Sequence, residues 1–302
     1  MDEALFHHGV SGIKLSIIIR CRNEAKSLRH IFEALRRQRC NFKWEVLVVD
    51  NESEDDTLTV CQEYGVQVIS ISRDEFTYGR ALNWGISKAG GELILLLSAH
   101  ALPVGSYFLM SAVAPFDDPL VAAARCLMVG NTRQIEKWYN SKDILYKTPE
   151  EQRLAEARAA WVGEYPTGGC CVIRRSVWQQ IKYDEYLESN EDKLWASQVL
   201  ANGFKIRCCA EALWMYTRKY GRVERWRRDN RQHLALYRIT GRAPLSWASY
   251  LFLILRAILA APFVAARYIF DVIIWNTYLV TIPWQARHTP KKGSFPEFNR
   301  QN

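Results

Sequence analysis

Four short apolar runs alternate with longer stretches of helical periodicity over the first hundred residues. They read KLSIIIR (14–20), EVLVVD (45–50), VQVISI (66–71) and LILLL (93–97). The unbroken run at 93–97, bounded by turn residues, suits a strand buried on both faces of a parallel sheet, and the other three read as further strands. Ala25 to Arg39 places Leu28, Ile31, Phe32 and Leu35 at the spacing of one helix face, with arginines opposite. Asn51 to Thr57 is rich in N-cap formers, which predicts a turn and a second helix. A third helix begins near Phe76 and ends near Gly90-Gly91. The succession β-α-β-α-β-α-β predicts a doubly wound, mostly parallel sheet.

The fourth run continues into Ser98-Ala99-His100 and is stopped by Pro103. In open α/β sheets ligands bind at the carboxyl ends of the strands. The polar tips to weigh are therefore Asn23 and Glu24 after the first run, Asp50 closing the second, and Ser98 and His100 after the fourth. No G-x-G-x-x-G follows the first strand and no G-x-x-x-x-G-K-[ST] occurs, which speaks against a dinucleotide-binding fold and a P-loop.

Composition adds three points. With 302 residues, 49% of them hydrophobic, the chain can bury a sizeable core. None of the eight cysteines falls in a C-x-x-C, and several lie inside apolar runs, so they read as reduced core thiols of a cytosolic protein. The N-terminus lacks a basic region followed by an apolar one and does not read as a signal peptide. The net charge of +8 is unevenly spread: residues 205–302 hold 17 Lys and Arg against 5 Asp and Glu. That segment predicts a polyanion or an anionic membrane as partner.

Five stretches then resemble the family-2 glycosyltransferases. They are SIIIRCRNE (16–24), VLVVDNESEDDT (46–57), FTYGRALNWGISKAGGE (76–92), LLLSAHALP (95–103) and ESNEDKLWASQVLANGFKI (188–206). FxxGxxxNxG followed by LSxxxLP is similar to the branch containing rhamnosyltransferase-like enzymes of bacterial surface polysaccharide synthesis. The resemblance implies a GT-A fold over about residues 14–215, after an N-terminal segment (1–13). It implies an inverting transfer from a UDP- or dTDP-sugar to a hydroxyl of a glycan or lipid-linked acceptor. Asp50 matches the aspartate that accepts from the N3–H of a pyrimidine. Asn23 and Glu24 line the nucleotide pocket, and Arg80 and Asn83 lie near the donor, Arg80 within reach of a phosphate. Gly168 and Gly169 belong to a loop beside donor sugar and acceptor. Asp192 matches the general base, with Glu191 as the fallback one position away. A strand-end cap is the competing reading of Asp50, a plain ion pair that of Arg80, and a helix-dipole pair that of Glu191-Asp192.

Ser98-Ala99-His100 stands where the family usually carries D-x-D, the carboxylates that hold a divalent ion. Manganese or magnesium is the cofactor the resemblance implies. Magnesium prefers oxygen ligands, whereas an imidazole suits manganese or zinc. His100 is thus a metal ligand, a direct donor to the diphosphate, or an ordinary strand-end residue. The departure also keeps a non-catalytic scaffold of a polysaccharide assembly complex as the rival reading.

Beyond residue 216, Arg218, Lys219, Arg222, Arg225, Arg227, Arg228 and Arg231 are interleaved with aromatics. Some of these arginines are expected at the diphosphate of the donor or of a lipid-linked acceptor; no nucleic acid is expected as a partner. Leu245 to Pro283 is the most apolar part but is broken by Arg256, Pro262, Arg267 and Asp271. No uncharged window reaches the ~20 residues of a spanning helix. Residues 216–302 are therefore expected to form a basic, amphipathic helical extension on the cytosolic face of a membrane, making the protein cytoplasmic and peripheral. Docking of these helices on protein, including a second copy, and a re-entrant hairpin are the alternatives.

Overall fold

A computed structural model of the chain describes residues 12–128, 169–218, 221–241, 248, 249, 251, 252, 255 and 266–288. The first half follows the predicted alternation. β1 (Leu15–Cys21), β2 (Trp44–Asp50), β3 (Gln67–Ser70) and β4 (Leu93–Ser98) are separated by α1 (Ala25–Arg36), α2 (Thr57–Glu63) and α3 (Tyr78–Lys88). Then come β5 (Ala101–Pro103), α4 (Phe108–Val113), β6 (Val121–Met128), β7 (Cys170–Arg174), α5 (Arg175–Gln180), α6 (Glu191–Ala201) and β8 (Lys205–Tyr216). The eight strands form one sheet in the order β3-β2-β1-β4-β7-β6-β8-β5.

β3, β2, β1 and β4 are mutually parallel. β7 runs antiparallel to both β4 and β6. The chain winds outward from β1 to β3 and then returns to place β4 on the other side of β1. That reversal is the switch point where a crevice opens at the carboxyl ends. Register sets the strand tips side by side: Cys21 pairs with Asp50, and Arg20 with Ser98.

Strand alternation divides the core between the two faces of the sheet. Leu15, Ile17, Ile19, Leu93, Leu95 and Leu97 pack with Leu28, Phe32 and Leu35 of α1. Ile18, Ile94 and Leu96 pack with Ala81, Leu82 and Ile86 of α3. The four α1 positions predicted to face the core are the four that are buried. The Ser98-to-Pro103 stretch departs from the plain strand end expected. Its last three residues form β5, which pairs antiparallel with β8 and so carries the end of β8 to His100.

By compactness the described residues divide into two units. Those up to 185 and from 191 to 219 form one; those from 186 to 190 and from 220 onward form the other. In the second unit α7 (Arg222–Thr240) ends at Gly241, whose φ of 66° suits a glycine stop. α8 (Ala266–His288) contributes Tyr278 and Ile282 to a cluster with Leu234 of α7. The Tyr278 hydroxyl donates to the carbonyl of Asn230. Among the described residues no helix is long and apolar enough to cross a membrane. Part of the apolar stretch 245–283, including 256–265, lies outside them.

Candidate functional site

Arg20, at the tip of β1, organises one side of the crevice. Its Nη1 donates to the carbonyl of Tyr78 (3.1 Å) and to Glu191 Oε1 (3.3 Å), and its guanidinium lies over the Tyr78 ring. Glu191 is buried at 5% exposure, whereas the adjacent Asp192 is half-buried. Burial pushes the Glu191 carboxyl above the usual carboxylate range; Arg20 opposes this and the neighbouring Asp192 charge adds to it. Both acids open α6, where the dipole favours negative charge. Asn190, just before them, has φ 61°, which asparagine tolerates better than most residues.

On the other side, Glu24, His100 and Arg218 meet. His100 Nε2 lies 3.3 Å from Glu24 Oε1 and 3.0 Å from Arg218 Nη1, and that Nη1 lies 3.3 Å from the same Glu24 oxygen. The backbone fixes this meeting. Thr217 N and Oγ1 both donate to the carbonyl of His100, at 2.9 and 3.2 Å. Ser98 Oγ accepts from the backbone N–H of His100. Of the basic run predicted to reach phosphate, Arg218 belongs to the first unit and stands in this cluster. Arg222, Arg225 and Arg227 are exposed on α7.

The loop after β2 is stitched to the loop after β1. Both Asp50 oxygens accept from Ser53, one from its N–H and one from its hydroxyl, and the side chain is only 2% exposed. Asn23 Oδ1 accepts from Glu54 N, while Asn23 N donates to Ser53 Oγ. Glu24 N and Ala25 N donate to Thr57 Oγ1 and Asp55. The acidic run expected to cap its own helix thus also supplies the caps of α1, satisfying N–H groups that the helix leaves over. Asp50 thus holds the turn after β2 at the carboxyl end of the sheet.

Arg80 and Asn83, expected near the donor, make a dense set of contacts with residues 183–185. Asn83 Nδ2 donates to the Tyr183 carbonyl (2.8 Å) and to Glu185 Oε1 (2.9 Å). Its Oδ1 accepts from Trp178 Nε1 (2.9 Å) and Tyr183 N (3.2 Å). Arg80 pairs with Glu185 and donates to the Glu75 carbonyl. Thr77 caps α3 through Arg80 N and donates to the Glu185 carbonyl. A Cβ on Gly79 would lie 1.9 Å from the Asp184 oxygen, so only glycine permits this approach. The FxxGxxxNxG pattern is therefore a clamp that holds residues 183–185 on α3. Tyr183 stacks on Trp195 of α6, and Trp195 Nε1 donates to the Ile181 carbonyl. The clamp thereby fixes the helix that begins with Glu191 and Asp192.

The Gly169 carbonyl oxygen accepts from Ser98 N, and a Cβ on Gly169 would meet the Trp214 ring at 2.9 Å. Gly168 lies outside the described residues. Arg20 and Glu185 are the partners that sequence reasoning missed. The signal for Arg20 was a lone cation closing an otherwise apolar strand.

The donor set suits a divalent ion poorly. Among the described residues no group of three or more His, Cys, Asp or Glu could hold one. At the D-x-D position the side chains are a hydroxyl and an imidazole, and the nearby carboxylate already shares an oxygen between His100 and Arg218.

The sequence profile described as "Glycosyl transferase family 2" matches residues 16–182. The O-antigen chain rhamnosyltransferase RfbN of Salmonella typhimurium is 23% identical over 229 residues, covering 72% of this chain and 70% of that protein. The solved mannosyltransferase PcManGT from Pyrobaculum calidifontis, in complex with GDP-Man and Mn2+, superposes with a TM-score of 0.61 at 18% identity. It covers 93% of this chain and 90% of its own. Glucosyl-3-phosphoglycerate synthase from Mycobacterium tuberculosis, solved with Mn2+, UDP and its product, gives 0.53 at 14% identity, over 76% of this chain and 81% of its own. These neighbours share the GT-A arrangement of the sheet. The profile spans more than half of the chain, from β1 to just past α5, so the chain is a glycosyltransferase and belongs to glycosyl transferase family 2.

Proposed function

We propose that the chain transfers a sugar from a nucleoside diphosphate donor, with uracil or thymine as base, to a hydroxyl of a glycan or lipid-linked acceptor during cell-surface polysaccharide synthesis. Family membership supports the reaction class, and the name of the Salmonella relative supports the polysaccharide setting. The observation that carries the mechanism is the split between two adjacent acids. Glu191 is buried on Arg20, and Asp192 is half-buried in the first turn of the same helix. Glu191 is a positioning residue, and Asp192 is the base.

In this reading the acceptor O–H gives its proton to the Asp192 carboxylate. The oxygen's electron pair forms the bond to the anomeric carbon. The bond from that carbon to the diphosphate oxygen breaks, and its electrons leave with the nucleoside diphosphate. One displacement inverts the anomeric centre. A positioned base of this kind contributes about 10²–10⁴-fold to such a step. The clamp on α3 keeps Asp192 in place without touching substrate.

The membrane side of the proposal draws on the second unit. Leu251, Phe252, Leu255, Ile274 and Trp284 are exposed in that unit, and α7 of the same unit is rich in arginine. Apolar and basic side chains together suit the interface of an anionic membrane, consistent with a cytoplasmic, peripheral protein.

The test is a panel of UDP- and dTDP-sugars incubated with the full chain and a lipid-linked glycan fraction. Release of UDP or dTDP from one donor, matched by sugar incorporation, is expected. The rival scaffold reading draws on Ser98 and His100 standing in place of carboxylates; binding of donors with no release from any of them would favour it.

A further inference from the structure

We infer that Arg218 holds the donor's diphosphate in the position a divalent cation would take, so that the donor binds without a metal. This rests on the proposed use of a nucleoside diphosphate donor. It starts from the mismatch between the manganese in the solved neighbours and the side chains present here. At the tip of β4 the available groups are Ser98 and His100, and Glu24 is the carboxylate beside them. A divalent ion on His100 Nε2 would have to share that nitrogen with Arg218 Nη1, which lies 3.0 Å away. A metal–imidazole bond of ~2 Å would then put two cationic centres within a few ångströms of each other. The site already holds its positive charge.

That charge is in place before any ligand arrives. β5 pairs with the end of β8, and Thr217 donates twice to the His100 carbonyl, so residue 218 is tied to residue 100 by backbone. Glu24, at 12% side-chain exposure, orients the guanidinium, while Arg218 itself is 37% exposed and so open to a ligand. A guanidinium is planar, keeps its charge across the working pH range and matches two phosphate oxygens at once. It provides what a bridging cation provides to a diphosphate leaving group: fixed charge where negative charge develops. The position is at the switch point, where the fold opens its crevice.

The experiment is calorimetric titration of the full chain with UDP and dTDP, and with uridine and thymidine, in EDTA and in manganese. Expected is diphosphate binding in EDTA within about threefold of that in manganese. Arg218→Met should weaken diphosphate binding by about tenfold or more, about 1.4 kcal/mol, with nucleoside binding unchanged. Arg218→Lys, which keeps the charge and the fold but loses the fork, should fall between. A diphosphate that binds wild type only with manganese overturns the inference and leaves the transferase reading standing. So does an Arg218→Met variant with undiminished diphosphate affinity. Wild type that binds neither nucleoside nor diphosphate in either buffer removes both.

Discussion

Replacing Asn83 by alanine separates a structural clamp from a donor contact. Asn83 is 7% exposed and makes four hydrogen bonds, to Tyr183 N, Tyr183 O, Trp178 Nε1 and Glu185. Alanine strands the Trp178 indole N–H and both backbone groups of Tyr183, in a region where Trp178 and Tyr183 are 5% and 3% exposed. Each buried group left without its partner costs about 1–3 kcal/mol. Three such groups give a loss of about 3 kcal/mol or more, even if the bond to half-exposed Glu185 contributes nothing. Urea denaturation followed by tryptophan fluorescence reads this as a lowered midpoint with unchanged slope. At temperatures where the variant remains folded, its KM for the donor should stay near wild type, while kcat falls because α6 is less firmly held. A variant with wild-type stability and a raised donor KM would refute the clamp and return Asn83 to the donor site.

Two further predictions follow from ionisation. Burial raises the Glu191 carboxyl above its ordinary value of 4.5, so between that value and its folded one the native state binds more protons than the unfolded chain. Its contribution to stability is then complete below about pH 4.5 and lost as pH rises through the folded value, by at most about 1.4 kcal/mol per pH unit. The difference in stability between wild type and Glu191→Gln across this window measures it; a wild-type stability that gains over the variant as pH rises would be the wrong sign. All eight cysteines are free, and all eight thiols are pushed up, by burial first in every case except Cys126, where the Cys170 hydrogen bond leads. Cys61 reaches about 12 and Cys209 about 11. A chromogenic disulfide reagent at neutral pH should find no fast-reacting thiol until the chain is unfolded; a rapid stoichiometric burst from native protein would contradict this.

The parallel half of the sheet was legible because its strands are short, mostly apolar runs and α1 and α3 each have one apolar face. Leu28, Ile31, Phe32 and Leu35 announce α1 without tertiary information. β5 was hidden because three residues ending in proline carry no period, and its pairing with β8 depends on a partner more than a hundred residues away. The site was legible as a set of strand tips, since polar residues after buried strands have few other places to be. What each tip does was not. Asp50 is spent on Ser53, and Asn83 on Tyr183 and Trp178, and neither partner is signalled by spacing alone. Arg20 and Arg218 could not be placed from sequence, because an ion pair to Glu191 or Glu24 closes only when β1, β4, α6 and the end of β8 come together.

In the proposed mechanism two neighbouring acids do different jobs, and Arg218 supplies a fixed cation. The account depends most on Asp192. The decisive measurement is donor-dependent transfer by Asp192→Asn beside wild type, with donor binding followed by calorimetry on the same preparations. The amide keeps shape and helix start but cannot take a proton, so kcat should fall by about 10²–10⁴-fold while donor affinity stays within about threefold. Transfer at the wild-type rate by Asp192→Asn would contradict the account.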